Sequence, residues 1–512
     1  MPFLSAEPRI RLTKAFSTPY RNVVATAKTC YSSKGIVEDA NVGGREQFAP
    51  LAQSIYEAGH HTTFQHAHFQ FAMENVSRHF IWSFLHSHPF YNSEQVSQRY
   101  VHVKPETAFV PELPASQLSL YRECLQMQFD AYERLCGLLE GPTRSEFYKR
   151  FNFSERMKDR HERTIRKKAQ EAARYVLPVA TFAYLYHTVS GVTLLRYWRA
   201  CQQEDVPAEQ RFVVERMVQE LLALDRDYEI TLQEPLAREF FPEHGLLAND
   251  AAQARVFCDE FDARLEGKVS RLAGFTANAE ELVADAVREM LGLTRAQLSD
   301  GEAMELACSP AKNRLLGESL NLTTMSKLTR ALHHPFFTFR KKLSHAADSQ
   351  DQRHRMTPGS RPFLSAHLHD APDYITPMVV RSDEGARRFY DETMARIWQK
   401  ITKLREAGAS PETLVYLLPN AVSVRFTESS DYLNLRHKHQ MRLCYNAQEE
   451  IWQASVEEAA QVRDVAPMLG RYLLPPCGVR SLAGQKPICP EGARFCGVRV
   501  WKLDLNEYQR VI

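Results

Sequence analysis

His66-Ala67-His68-Phe69-Gln70-Phe71 and His334-Pro335-Phe336-Phe337-Thr338-Phe339 are two histidine-led, phenylalanine-rich stretches that alternate as half-buried strands do. Around each, the same series of elements recurs in the same order. The apolar residues Leu120, Tyr121, Cys124, Leu125, Met127, Tyr132 and Leu135 fall at helical spacing within 118–139. Tyr390, Met394, Ile397, Trp398, Ile401 and Leu404 repeat that spacing within 389–404. A short apolar run containing Leu-Pro comes after it in each half, Ala173 to Ala180 and Val415 to Ala421. An arginine-bearing helical segment is next, 194–199 and 433–442. Four elements repeated in order read as a duplication. Chance likeness of amphipathic helices is the alternative.

The repeat sets the expected domains. They are a first domain over 1–245, a helical connector over 246–299, a second domain over 300–474, and a cysteine-containing appendage over 475–512. A chain of 512 residues exceeds one ordinary core, which agrees with two. The net charge of +2 spreads no global field, so a general nucleic-acid binder is not indicated, while a local basic pocket for one phosphate is compatible. The segment from Met1 to Leu12 carries Glu7 and arginine and proline breaks where a secretory leader needs an apolar run. No stretch has the roughly 18 apolar residues of a membrane span. Ten cysteines, mostly single in apolar surroundings, point to a reducing cytoplasm.

Several constellations carry chemistry. Gly59-His60-His61-Thr62-Thr63-Phe64-Gln65-His66 precedes the first strand, Ser77-Arg78 succeeds it, and Ser97-Gln98-Arg99-Tyr100 comes later. A hydroxyl and a guanidinium two residues apart in an extended segment point the same way and suit a phosphate monoester. A surface turn with an ordinary arginine is the other reading. In the second half, Ser344 and Gln350 precede Arg353-His354-Arg355, whose guanidiniums need several acceptors and suit an anionic cofactor or a solvated turn. Cys477, Cys489 and Cys496 stand in glycine-rich settings like those of small zinc sites. They are one ligand short, and Cys444, His437 or His439 are candidates for the fourth; free thiols in a terminal loop are the alternative. His367-Leu368-His369-Asp370 reads as a metal pair or a solvated loop. The basic run from Arg156 to Lys168 reads as a solvated helix face or an RNA contact.

The ordered set resembles the flavin-dependent thymidylate synthases. Their pattern is Gly-His-x-Ser/Thr-x-x-Glu-His, a strand, Ser-Arg, Arg-His-Arg, and Ser-x-Arg-Tyr. The first copy keeps Gly59-His60, Thr62, His66, Ser77-Arg78 and Ser97-Gln98-Arg99-Tyr100, but reads His86-Ser87-His88 for Arg-His-Arg. The second keeps Ser344, Gln350 and Arg353-His354-Arg355, but reads Ser360-Arg361-Pro362 for Ser-x-Arg-Tyr. It also matches the later helix with Arg442-Leu443 and Ala447-Gln448-Glu449-Glu450-Ile451.

The resemblance implies an α/β (α+β) fold in which each domain is a sheet wrapped by helices. It implies a homodimer of pseudo-tetrameric form and FAD as cofactor. The reaction is reductive methylation of dUMP, with methylene-tetrahydrofolate and NADPH as co-substrates. By position, Ser97, Gln98 and Arg99 would hold the nucleotide phosphate. Arg442, and in the first copy Arg199, would reach the uracil edge. Arg353, His354 and Arg355 would contact FAD, joined by His60 and Thr62. The split motifs leave a second reading open, a catalytically silent relative that binds a nucleotide or a partner. Asp431 stands where the family has an FAD-contacting asparagine, and an unpaired aspartate there would repel a diphosphate.

Overall fold

The computed structural model describes residues 3–87, 90–105, 107–151, 155–246 and 250–512. It contains two antiparallel four-stranded sheets. In the first, β1 (Arg9–Ala15), β2 (His68–Ser77), β3 (Asn92–Gln95) and β4 (Phe182–Ser190) lie in the order β1-β2-β4-β3. In the second, β5 (Ser270–Phe275), β6 (Phe336–Ser344), β7 (Gly359–Ser360) and β8 (Ser423–Asp431) lie in the order β5-β6-β8-β7. The two orders are the same. So is an irregularity of register: the pairing of β1 with β2 slips after Leu12, and that of β5 with β6 slips after Leu272. A bulge kept at one place in both sheets is a specific mark of duplication. The edge strand β5 lies inside the stretch expected to be a purely helical connector. The connecting helix Ala251–Ala263 leads at once into the second sheet.

Alternation decides which face is covered. Along β6, Phe337, Phe339 and Leu343 point inward while Phe336, Thr338 and Arg340 do not. Each sheet is backed by a 17-residue helix, Ala208–Leu224 or Glu449–Val465. The long helices Ala115–Arg150 and Glu384–Glu406 pack on each other across the junction between copies. No helix among the described residues is long and apolar enough to cross a membrane.

The two Leu-Pro runs make that junction, and there they are not ordinary strands. Val179 N–H donates to Leu418 O and Asn420 N–H to Leu177 O, both at 2.8 Å. Ala180 N–H donates to Tyr416 O and Ala421 N–H to Tyr175 O, both at 2.9 Å. Such reciprocity, each run giving what it receives, defines a local twofold axis. Gln128 lies on it, its amide donating to Val176 O at 3.2 Å and Leu417 O at 3.1 Å. Two buried carboxylates lock the arrangement crosswise. Glu209 accepts from Ser77 N–H (2.7 Å), the Ser77 hydroxyl (2.6 Å) and the Tyr416 hydroxyl (3.0 Å). Glu450 accepts from Ser344 N–H (2.5 Å), the Ser344 hydroxyl (2.6 Å) and the Tyr175 hydroxyl (2.7 Å). Each glutamate thus receives its tyrosine from the other copy, and one apolar core runs from Phe109 through the second sheet to Tyr508. The 475–512 segment packs on this core through Val500, Leu505 and Tyr508.

Candidate functional site: a cluster shared by both copies

Ser77 and Ser344 each cap a helix, accepting from Phe80 N–H and Ala347 N–H. Those caps set the course of the chain beyond them. Arg78 begins the helix Arg78–His86, and Gln350 ends the short helix His345–Asp351 just before Arg353. Ser97 opens a turn rather than an extended segment: its hydroxyl accepts from Arg99 N–H at 3.3 Å, and its carbonyl accepts from Tyr100 N–H. The turn throws Arg99 across the junction. There Arg99 Nη1 meets Gln350 Oε1 at 3.4 Å, a residue 251 positions away, and Nη2 donates to Asn446 O at 2.8 Å. From the other side, Arg442 donates through Nη2 to Gln350 O at 2.8 Å and through Nε to His354 Nε2 at 2.9 Å. The half-motifs kept by the two copies therefore meet in one place.

The electrostatics are lopsided. Arg78 and Arg174 are buried beside this cluster, and Arg353 lies at its rim. Burial, then repulsion from Arg174 and Arg353, lowers the Arg78 guanidinium to about 10. Burial chiefly lowers Arg442 to about 10, attraction to Asp351 opposing it and repulsion from Arg99 and Arg353 adding to it. Glu171, 2.5 Å from Arg99 Nε, is the carboxylate in direct contact with the cluster's centre. Burial works against its charge, yet Arg99, Lys168 and Arg174 hold it down at about 2. Buried donors are left over: Arg78 Nε, Arg174 Nη2 and Gln350 Nε2 have no acceptor among the described residues. Unsatisfied buried donors with excess positive charge suit a small anionic ligand rich in acceptors.

Two cavities open beside the cluster. One, of about 650 Å³, is lined by Arg99, Arg150, Arg160, Lys168 and Asn446. The basic helix Lys158–Ala173 thus turns part of its charge inward rather than wholly to solvent. The other, of about 380 Å³, is lined by Arg353 and Arg355 of the second copy and by Gln70, Glu94, Tyr186 and Thr188 of the first. Arg353 pairs with Glu94 at 2.9 Å, and Arg355 reaches Asn92 Oδ1 at 3.2 Å and the ring of Tyr91. His354 is kept neutral by burial and by the neighbouring Arg442, which lets its Nε2 accept from that arginine.

Other sequence expectations fare differently. Arg199 donates to Glu234 O and joins neither cavity. Aligning the helix caps Ser190 and Asp431 puts Cys201, not Arg199, opposite Arg442, so its sequence likeness is a slip of register. His60 and Thr62 are exposed on the turn before β2 and line neither cavity. Asp431 is engaged rather than bare, accepting from Asn434 N–H at 2.8 Å and lying 3.1 Å from His333 Nδ1. His369 lies beside Asp373, whose carboxylate is taken by Arg425 at 2.6 Å.

The counterpart position on the local twofold is filled. Counting from the capping serines, Ser83 stands for Gln350 and His86 for Arg353; His88 of the same motif lies outside the described residues. Arg361, the remnant of Ser-x-Arg-Tyr in the second copy, is buried and bonds Asp348 at 2.9 Å. Behind it, Lys341 is fully buried among Glu458 (2.7 Å), Glu428 (2.9 Å) and Asp351 (3.3 Å).

Comparison with known proteins agrees with this geometry. The flavin-dependent thymidylate synthase of Clostridium tetani is 28% identical over 194 residues, covering 37% of this chain and 73% of the relative. That of Sulfurisphaera tokodaii is 27% identical over 150 residues, covering 28% of this chain and 57% of the relative. A solved structure of the UMP/dUMP methylase PolB from Streptomyces cacaoi, bound with 5-Br dUMP, aligns at 17% identity with a TM-score of 0.32. That alignment covers 44% of this chain and 94% of the other. The family described as thymidylate synthase complementing protein matches residues 11–224 and again 271–468, one match for each sheet. The chain belongs to the thymidylate synthase complementing protein family, as two tandem copies.

Proposed function

We propose that the chain is a flavin-dependent thymidylate synthase with one working nucleotide site, shared by its two copies. The observation that carries this reading is the meeting of Arg99 and Arg442 on opposite ends of Gln350. Arg99, with Ser97 and Gln98, receives the phosphate of dUMP, and Arg442 orients the base. Binding moves Arg99 from Glu171 to the phosphate and gives the unpaired donors of Arg78, Arg174 and Gln350 their acceptors.

For the cofactor, two guanidiniums beside a hydroxyl and an amide suit a diphosphate, so the cavity of Arg353 and Arg355 fits the anionic part of FAD. Bound FAD supplies the hydride carrier between NADPH and the methylene unit given by methylene-tetrahydrofolate. The protein's part is to fix the nucleotide, neutralise its phosphate and keep His354 as a neutral acceptor. His60 and Thr62, exposed away from Arg353, would complete the cofactor cavity of a second chain. The assembly proposed is therefore a homodimer of pseudo-tetrameric form.

The test is the visible spectrum of the purified protein before and after incubation with FAD and gel filtration. Retained flavin, together with dUMP methylation in the presence of methylene-tetrahydrofolate and NADPH, supports the reading. No flavin under either condition sinks it and leaves a silent nucleotide-binding relative.

A further inference from the structure

Outside the nucleotide cluster, four cysteines line one small cavity: Cys444, Cys477, Cys489 and Cys496. They come from three places. Cys444 comes just after the helix Tyr432–Arg442 and lies two residues from both Arg442 and Asn446. Cys477 sits in the first turn of the helix Pro476–Leu482. Cys489 and Cys496 flank the turn of 490–495. Gly497 turns the chain sharply after Cys496 with φ +83°, and a Cβ there would lie 2.9 Å from Phe151. None of the four is in a disulfide, and no other cysteine lines the cavity.

Without a metal this is an awkward arrangement. Burial pushes the Cys444 thiol up to about 11 and that of Cys477 to about 12, and each is raised further by the charge of its sister thiols. Four neutral thiols are weak hydrogen-bond partners with little reason to converge. A bound cation reverses that balance, because a coordinating thiol is deprotonated outright.

The spacing discriminates between cations. Thiolates around one tetrahedral zinc, with bonds of about 2.3 Å, stand about 3.8 Å apart. Among the described residues no three of these four sulfurs lie within 4.8 Å of one another, which departs from the single-zinc site expected from the sequence. His437 and His439 line no part of the cavity; Cys444 is the fourth member. An iron–sulfur cube holds four cysteine thiolates around a larger body than one ion. Four thiolates on such a cube leave net negative charge, and the Arg150 guanidinium faces Cys496, although Glu491 faces Cys444.

We infer that Cys444, Cys477, Cys489 and Cys496 bind a four-iron, four-sulfide cluster that pins the loop from Arg442 to Asn446. That loop supplies the arginine and the carbonyl that meet Gln350 and Arg99, so the cluster is a positioning element beside the nucleotide site. It binds by exchange of four thiol protons for the preformed cluster, with no net redox change.

The full chain, purified without oxygen, is to be assayed for iron, zinc and acid-labile sulfide, and again after reconstitution with ferrous iron and sulfide. About four iron and four sulfide per chain are expected. Cys489→Ala should lose most of that iron while Cys258→Ala retains it. One zinc per chain without sulfide overturns the cluster, and absence of both metals after reconstitution overturns the site. The deciding readout is metal and sulfide in the wild-type chain, so neither an unfolded variant nor a lack of flavin alters it.

Discussion

Arg99→Ala probes the shared site at its centre. The guanidinium is 13% exposed, 2.5 Å from Glu171 and 2.8 Å from Asn446 O. Truncating one partner of a buried charge pair costs about 2–5 kcal/mol in binding. Two features of the structure place this case within that range. The phosphate displaces Glu171 from Arg99, so part of the gross gain is already spent in the free protein. Without Arg99, however, Glu171 is left as an unpaired carboxylate that repels the incoming dianion. A net loss of about 2–3 kcal/mol results, or roughly 30–150-fold in Kd. Titration calorimetry with dUMP measures it, with the melting temperature as a control on folding. Deoxyuridine, which lacks the phosphate, should lose less than about threefold, and Arg199→Ala should leave dUMP binding within about twofold. A dUMP affinity in folded Arg99→Ala within about threefold of wild type would refute the phosphate assignment.

Lys341→Met leaves Asp351, Glu428 and Glu458 buried without their central cation, and should destabilise the protein by about 3–5 kcal/mol in chemical denaturation. An unchanged midpoint would show that this network does not hold the fold. Burial holds His79 at about 4, His86 at about 3, His187 at about 3 and His439 at about 4. Below about 6.5 the unfolded chain therefore binds protons that the folded one refuses, and stability falls with pH from there. Glu209, lifted to about 7 by burial, acts oppositely, because the folded state keeps its proton where the unfolded state has lost it. Four histidines outweigh it, so the melting temperature should drop between pH 6.5 and 5; a constant or rising value contradicts the burial argument. Tyr416→Phe removes one donor from Glu209 at the copy junction, a hydrogen bond to a buried acid worth about 1.5–3 kcal/mol, and should lower the melting temperature without altering dUMP affinity.

Much of the fold is legible in the sequence because it is periodic. The alternation of Phe337, Phe339 and Leu343 and the helical spacing of Tyr390, Met394 and Ile397 belong to residues that do bury together. The strand Ser270–Phe275 is not legible, being short, interrupted by Gly274 and flanked by helices. Ser97 reads as extended because a hydroxyl two residues before an arginine suits a strand and a capped turn equally well. The pairing of Tyr175 with Glu450 and of Tyr416 with Glu209 is invisible, since nothing local marks partners in opposite copies. Arg78 and Arg174 escape notice as members of the cluster for the same reason. The sequence shows that each copy keeps half a motif; only the crossing of the Leu-Pro runs shows why half is enough.

Two half-sites make one whole site here, and the counterpart position is closed. Counting dUMP bound per chain at saturation decides the matter. One nucleotide per chain is expected, abolished by either Arg99→Ala or Arg442→Ala although the two residues belong to different copies. Two nucleotides per chain, or one lost by only one of these substitutions, would mean that the copies do not share a site.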